Sequence, residues 1–105
     1  MVDRKSKIYK SMCYRVRRRD KNKCQNPNCV GGCKYSEVHH ILPVSLYPAL
    51  VHEEKNCCVL CKKCHDLVTG KEMAYAPLLQ TIVMAKYVKK NKIAEYLGLK
   101  YGKEV

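Results

Sequence analysis

The first regular hydrophobic pattern of the chain lies close to its N-terminus. Between Ser6 and Arg19, apolar side chains recur at the spacing of one helical face: Ile8, Tyr9, Met12, Cys13 and Val16. This period predicts an amphipathic α-helix. The pattern then stops, and Asn and Pro become frequent, so we expect a loop from Asp20 to Asn28.

Two short apolar stretches in the middle of the chain predict β-strands. The first runs from Lys34 to Leu42 and stops at Pro43, and the second runs from Asn56 to Leu60. The segment between them has little regular pattern and predicts a loop. A helix from Cys61 to Thr69 is expected next, and Gly70 is well placed to end it.

A further helical pattern follows Gly70. Four apolar residues recur there at helical spacing: Leu78, Leu79, Ile82 and Val83. Pro77 suits the first turn of that helix, because a proline needs no hydrogen-bond partner for its nitrogen there. We expect residues 73–105 to form a C-terminal helical segment that covers a small core and has a basic end.

Length and composition limit the chain to one small domain. It has 105 residues and contains neither Phe nor Trp, so a core of this size needs a further constraint such as a metal ion. No apolar signal segment precedes the charged N-terminus, and no run is apolar enough to span a membrane. We therefore expect a cytoplasmic protein with reduced cysteines rather than a secreted disulfide scaffold.

The formal net charge of +12 is unevenly distributed. Residues 1–23 contain ten Lys and Arg and two Asp, a net charge of +8, whereas residues 24–70 contain four charges of each sign. Residues 71–105 contain seven basic and three acidic residues, a net charge of +4. A neutral centre between basic flanks favours a polyanionic partner, and we expect nucleic acid. The predicted binding residues are Arg15, Arg17, Arg18 and Arg19. The alternative is a solvated charged face.

Four of the eight cysteines are spaced as two metal-binding pairs. Cys24 and Cys29 flank a short segment with the turn residues Pro and Asn, and Cys61 and Cys64 form a CxxC. A pair of thiolates on a short turn can hold a metal ion from one side, and a second pair completes a tetrahedron. These four residues are the predicted ligands of a structural Zn²⁺ ion.

The other cysteines leave one alternative open. Cys33 follows Cys29 at a CxxxC spacing, which is also usable, but the Gly-Gly between them indicates a flexible connection. Cys13, Cys57 and Cys58 have no partner at a suitable spacing. We expect them to be small core residues.

A His pair, an isolated Asn and a His directly after the CxxC complete the same region. Their order along the chain is His39-His40, then Asn56, then Cys61-Lys-Lys-Cys64-His65. This order and spacing resemble the HNH endonucleases, whose motif has a [DH]H pair near a strand end, an Asn about five residues before a CxxC, and a final His. The resemblance extends over about half of the chain, from the Arg-rich segment before Cys24 to about Glu72.

The resemblance implies a fold and a division of the chain. The expected fold is α+β, a small ββα-metal (HNH) domain with a structural zinc ion and flanking N- and C-terminal helices. Residues 1–105 would form one HNH nuclease domain. Its parts would be a basic N-terminal helix in residues 1–23, a zinc-stabilised ββα-metal core in residues 24–72 and a C-terminal helical segment in residues 73–105.

The resemblance also implies roles for the histidines and the asparagine. His40 would be the general base, and His39 and His65 would bind a catalytic divalent ion such as Mg²⁺, Mn²⁺ or Zn²⁺. Asn56 would hold the loop that orients His40. Two alternatives stay open: His65 could replace a cysteine as a zinc ligand, and Asn56 could be a turn residue.

The expected function is metal-dependent hydrolysis of DNA phosphodiester bonds. The expected substrate is double-stranded DNA, which would be either nicked or cut. The His-His pair and the later Tyr47-Pro48 resemble small HNH proteins encoded beside phage packaging genes, which implies a bacterial host cytoplasm and packaging partners such as terminase. One alternative is a non-catalytic zinc module that binds DNA or RNA, and another is an accessory subunit that is active only in a larger assembly. The set of His39, His40, Asn56 and His65 favours the enzyme, because a pure binding module has no reason to assemble it.

Overall fold

The computed structural model describes residues 3–88, and within them the predicted α+β class is confirmed. In this part of the chain, three helices pack against one two-stranded antiparallel sheet. The elements are α1 (Lys7–Arg19), β1 (Ser36–His40), β2 (Cys57–Cys61), α2 (Lys62–Val68) and α3 (Glu72–Ala85), with short 3₁₀ turns at Pro48–Leu50 and Glu54–Asn56. The predicted C-terminal helical segment of residues 73–105 lies partly outside the described residues.

Helix α1 forms where the hydrophobic period predicts it. The Ser6 hydroxyl caps its first turn by accepting a hydrogen bond from the Tyr9 amide, at 3.1 Å. Tyr9, Met12 and Val16 form the buried face. Ile8, which shares the apolar spacing, is 64% exposed and does not contribute to the core.

The first strand is shorter than the apolar stretch that predicts it, and the second is shifted by one residue. In the antiparallel pairing, Ser36 lies opposite Cys61 and His40 lies opposite Cys57. The first strand therefore ends at His40, before the predicted end at Leu42. The second begins one residue later than predicted, because Asn56 belongs to the preceding 3₁₀ turn.

Strand β2 is buried on both faces and lies at the centre of the fold. Cys57 and Val59 face α1, and Cys58 and Leu60 face the opposite side, as the alternation of strand side chains requires. The α1 side contains Tyr9, Met12 and Val16. The opposite side contains Ile41, Cys61, Cys64, Val68, Ala76, Leu79 and Val83. The core thus consists of α1, the sheet, and a layer made by α2 and α3.

The edge of β2 that does not pair with β1 is covered by the loop after α1. The Val59 amide donates to the buried Asp20 carboxylate at 2.9 Å, and the Val59 carbonyl accepts from the Gln25 amide at 2.8 Å. Asp20 is 3% exposed and forms an ion pair with Arg19. Because these bonds satisfy the amide and the carbonyl of Val59, the centre of the strand can be buried on this edge.

Helix α3 starts close to the predicted boundary at residue 73, but the predicted place of Pro77 in its first turn is wrong. Its first residue is Glu72, so Pro77 lies inside the helix and not in its first turn. The buried residues of α3 are Ala76, Leu79 and Val83, which recur at helical spacing before and after Pro77. Packing of this face against the core therefore outweighs the usual penalty of an internal proline.

Candidate functional site

Four cysteine side chains meet at one end of the sheet, and we call them the cysteine cluster. Cys24 and Cys29 come from the loop before β1, Cys61 ends β2, and Cys64 lies in the first turn of α2. Their sulfur atoms all lie within 4.8 Å of one another, so the group could hold a metal ion such as zinc.

The spacing of the sulfurs agrees with tetrahedral coordination. A zinc ion with four Zn–S bonds of about 2.3 Å places its sulfurs about 3.8 Å apart. In the structure, the sulfurs of Cys29 and Cys61 are 3.7 Å apart. The donor set and its dimensions therefore fit a four-sulfur metal site.

The loop between Cys24 and Cys29 is shaped by Asn26. Its side-chain oxygen accepts from the Asn28 amide at 3.0 Å, and its carbonyl accepts from the Cys29 amide at 3.0 Å. Its side-chain amide donates to the Cys64 sulfur at 3.4 Å. Asn26 is buried and links the two cysteine pairs, a role that its spacing in the sequence did not indicate.

Backbone and burial act on the thiols in opposite directions. The Gly31 amide donates to the Cys29 sulfur at 3.4 Å, and this bond lowers the pKa of Cys29. Gly31 reaches that position with a φ of +80°, which favours glycine. Burial raises the pKa of Cys24 and raises that of Cys64 to about 12. A bound cation would offset this effect, because it favours the thiolate form.

The remaining cysteines lie outside the cluster. Cys33 is half-buried nearby, and its thiol donates to the Tyr35 carbonyl at 3.4 Å. Cys57 and Cys58 are fully buried in β2, and burial raises the pKa of each thiol to about 12. Cys13 is half-buried beside the α1 side of the core. These thiols fill space in the interior or at its border.

His39 and His65 lie together on the α2 side of the sheet, and with Glu37 we call them the histidine group. The two imidazole ring centroids are 5.3 Å apart in an edge-to-face arrangement. His65 Nδ1 lies 2.7 Å from a Glu37 carboxylate oxygen. With Nδ1 as donor, Nε2 of a neutral His65 is left as an acceptor or metal ligand.

His39 has an unusual environment for a polar side chain. It is 5% exposed, and its Nε2 atom is buried without a hydrogen-bond partner in the described part of the chain. Burial, and then the neighbouring His65, lower its pKa to about 4. The ring is therefore neutral at physiological pH, the form in which imidazole binds a metal ion.

His40 faces the opposite side of β1 from His39, as consecutive strand residues do. Its Nε2 lies 3.1 Å from the Val51 carbonyl, and its ring centroid is 6.0 Å from that of Tyr9. Burial lowers its pKa. Because a carbonyl only accepts, Nε2 is the donor and Nδ1 is the free acceptor of the neutral ring.

Asn56 fixes the chain directly after β1. Its side chain accepts from the Leu42 amide at 3.0 Å and donates to the Leu42 carbonyl at 3.1 Å, and its carbonyl accepts from the Ile41 amide at 2.7 Å. The residue is 7% exposed. These three bonds hold the two residues that follow His40 in one conformation.

An open groove of about 420 Å³ runs along β1 between α1 and α2. Its lining residues are Arg4, Tyr9, Cys13, Arg17, Glu37, Val38 and His65. The groove therefore has two guanidinium groups on one side and the exposed part of the histidine group on the other. His39 and His40 are not among its lining residues.

The four predicted nucleic-acid-binding arginines have different surroundings. Arg15 pairs with Glu54 at 2.7 Å, and Arg17 donates to the Ser36 hydroxyl at 3.0 Å beside the groove. Arg18 is exposed.

Arg19 has a structural role that the sequence did not indicate. Its guanidinium binds Asp20, the carbonyls of Glu54 and Cys57, and the Tyr87 hydroxyl. These contacts raise its pKa despite burial. Only 12% of the side chain is exposed, so we assign Arg19 to the fold and not to a nucleic-acid surface.

Comparisons with known proteins add no family to this geometry. No protein-family model, curated protein or solved structure matches the chain. Within residues 3–88, none of the helices combines the length and the apolar character needed to cross a bilayer. Function therefore has to be inferred from the residues themselves.

Proposed function

We propose that this protein is a metal-dependent endonuclease of HNH type that hydrolyses DNA phosphodiester bonds. The observation that carries the proposal is the buried His39 Nε2 atom, which lacks a partner in the described residues and belongs to a ring beside His65. A buried polar atom without a partner is unfavourable by about 1–3 kcal/mol. A divalent ion shared by His39 and His65 would satisfy it.

The cysteine cluster, in this proposal, holds a structural Zn²⁺ ion. Four sulfurs that lie within 4.8 Å of one another match the usual donor set of closed zinc sites, which leave no position for a substrate. The histidine group offers fewer protein ligands. That difference suits a site at which water and a phosphate oxygen complete the coordination.

The chemistry divides among the residues as follows. An ion held by His39 and His65 would neutralise charge that develops on the scissile phosphate. His40, kept neutral by its lowered pKa, would accept a proton from the attacking water at Nδ1. The hydrogen bond from His40 to Val51 fixes the ring, and Asn56 fixes the chain after it.

The groove would bind the DNA backbone. Arg4 and Arg17 line one side of it, and His65 lines the other. Arg17 is oriented by the Ser36 hydroxyl and carbonyl. A phosphate chain in the groove would meet two guanidinium groups while one phosphate lies beside the histidine group.

A second candidate function is a zinc module that binds nucleic acid without cleaving it. One observation favours it: His40 faces away from His39 and does not line the groove. In that case the cysteine cluster would stabilise the fold and the basic groove would bind the nucleic acid. The histidines would have only structural roles.

Plasmid cleavage separates the two candidates. We expect purified wild-type protein to relax or cut supercoiled plasmid when Mg²⁺ or Mn²⁺ is added. His39→Ala should weaken the apparent affinity for the added ion, so that high ion concentration restores part of the activity. His52→Ala is the matched control, because His52 is exposed and lies outside the histidine group. Equal loss in both variants would contradict a specific role for His39.

A further inference from the structure

Helix α1 carries basic side chains of two kinds. Arg15 and Arg19 form ion pairs with Glu54 and Asp20, respectively, on the flank that faces the 3₁₀ turn before β2. The exposed basic residues of α1 that do not take part in the ion pairs of the described chain are Lys7, Lys10 and Arg18. The unneutralised charge is therefore concentrated on one face.

Tyr14 lies in the middle of that face. Lys10 precedes it by four residues and Arg18 follows it by four, while Lys7 precedes it by seven, so all four side chains share one side of the helix. The Tyr14 side chain is 65% exposed. We call Lys7, Lys10, Tyr14 and Arg18 the tyrosine face.

The tyrosine face borders the groove. Arg17, which lines the groove, is the neighbour of Arg18 and lies one helical turn after Tyr14. A nucleic-acid strand that leaves the groove past Arg17 would therefore pass over the Tyr14 ring. Arg17 and Arg18 are consecutive in the chain, so this path carries basic side chains at its start.

We propose that the tyrosine face binds single-stranded DNA beside the groove, with an unpaired base stacked on the Tyr14 ring. Lys7, Lys10 and Arg18 would contact the phosphates, and the aromatic ring would contact a base face without regard to sequence. The bases of an intact duplex are stacked on one another and cannot reach such a ring. The substrate class inferred is DNA that is single-stranded next to the cleaved bond, and the choice of DNA rests on the proposed function.

The test measures binding separately from cleavage. Fluorescence anisotropy is recorded with labelled oligo-dT and with a labelled duplex of equal length, in buffer without added divalent ion. Tyr14→Ala should weaken oligo-dT binding by about 5- to 100-fold, the effect of losing one stacked base, and duplex binding by less than about 2-fold. Tyr14→Phe should retain the wild-type affinity. Tyr35→Ala is the matched control, because Tyr35 is 76% exposed but lies outside α1.

Three results would overturn the inference. They are wild-type oligo-dT affinity in Tyr14→Ala, an equal loss for oligo-dT and duplex, and a loss in Tyr14→Phe as large as in Tyr14→Ala. A failure of the proposed hydrolysis alone would give a different result. The wild-type protein would then bind oligo-dT in a Tyr14-dependent way but cleave no DNA with any divalent ion. Zinc content and circular dichroism of each variant establish that the fold is retained.

Discussion

The cysteine cluster and the histidine group differ in how completely the fold assembles them. The four sulfurs lie within 4.8 Å of one another and receive hydrogen bonds from Asn26 and Gly31. The histidine group brings together only two imidazoles, with one nitrogen of His65 bound by Glu37 and one nitrogen of His39 without a partner. The cysteine cluster offers four protein ligands, enough to complete a tetrahedral metal site, whereas the histidine group offers two imidazoles and would leave coordination positions open.

In the proposed function, this difference assigns the cysteine cluster to folding and the histidine group to chemistry. A closed set of four protein ligands leaves no coordination position for substrate, so its binding energy can only stabilise the fold. A site with few protein ligands binds its ion weakly but leaves room for water and phosphate. We therefore expect changes in the cysteine cluster to affect stability and changes in the histidine group to affect activity.

The largest expected effect is the loss of the fold on removal of one cluster ligand. Structural zinc sites contribute roughly 10–16 kcal/mol, which is as large as the whole stability of a small domain. Cys24→Ser should therefore be largely unfolded in circular dichroism and contain no zinc, and a strong chelator should unfold the wild-type protein. The control is Cys33→Ser, which should stay folded and retain zinc. A folded Cys24→Ser together with an unfolded Cys33→Ser would move the metal site to Cys33.

The next largest expected effect is a loss of cleavage rate on removal of the proposed general base, His40. His40→Ala should lose plasmid cleavage by a factor of about 10² to 10⁴, the usual contribution of a general base, while zinc content and DNA affinity stay unchanged. Added divalent ion should not restore its activity, because the ligands of the ion are intact. Wild-type cleavage by His40→Ala would remove His40 from the mechanism.

A smaller effect is expected from Glu37, which in the proposed function would orient the ligand His65 and would not bind the ion itself. Glu37→Gln replaces the carboxylate that lies 2.7 Å from His65 Nδ1. We expect the apparent affinity for the catalytic ion to fall by about 10- to 100-fold, with the maximal rate restored at high ion concentration. Titration of cleavage rate against Mn²⁺ measures this shift. An unchanged titration curve would show that the Glu37 contact does not orient His65 for an ion.

The smallest expected effect is a pH dependence of stability from His39. Its pKa is about 4 in the folded protein and 6.5 in an unfolded chain, so between these values the unfolded state binds more protons. The free energy of unfolding should therefore decrease as the pH falls, by about 2 kcal/mol between pH 7 and pH 5. Urea unfolding of wild type and His39→Gln at both pH values, without added divalent ion, isolates this contribution. Equal pH dependence in the two proteins would contradict it.

The parts of the fold that could be predicted from the sequence are those set by local pattern. The period of Tyr9, Met12 and Val16 specifies α1 because every third or fourth side chain meets the same neighbouring surface. The pairs of cysteines could be recognised because each pair spans one short turn. The place of Pro77 within α3 was predicted wrongly, because the rule for a proline in the first turn describes helix propensity and not the packing of Ala76 and Leu79.

Contacts between residues distant in the chain could not be predicted in this way. Asp20 covers the edge of β2 by binding Val59, which is 39 residues later, and Asn26 reaches Cys64, which is 38 residues later. Arg19 appeared equivalent to Arg18 in the sequence, yet it binds Asp20 and the backbone. Glu37 was not among the predicted site residues, although its i, i+2 spacing to His39 on a strand places both side chains on one face, and its contact with His65 depends on the packing of α2 against the sheet.

The most direct test of the two-site interpretation is an ion add-back experiment on wild-type protein. The protein is purified, exchanged into ion-free buffer without chelator, assayed for zinc and then incubated with supercoiled plasmid before and after addition of Mg²⁺ or Mn²⁺. We predict one zinc ion retained per chain, no cleavage before the addition and cleavage after it. Cleavage at the same rate without added ion, or no cleavage with any divalent ion despite retained zinc, would contradict an open catalytic site at His39 and His65.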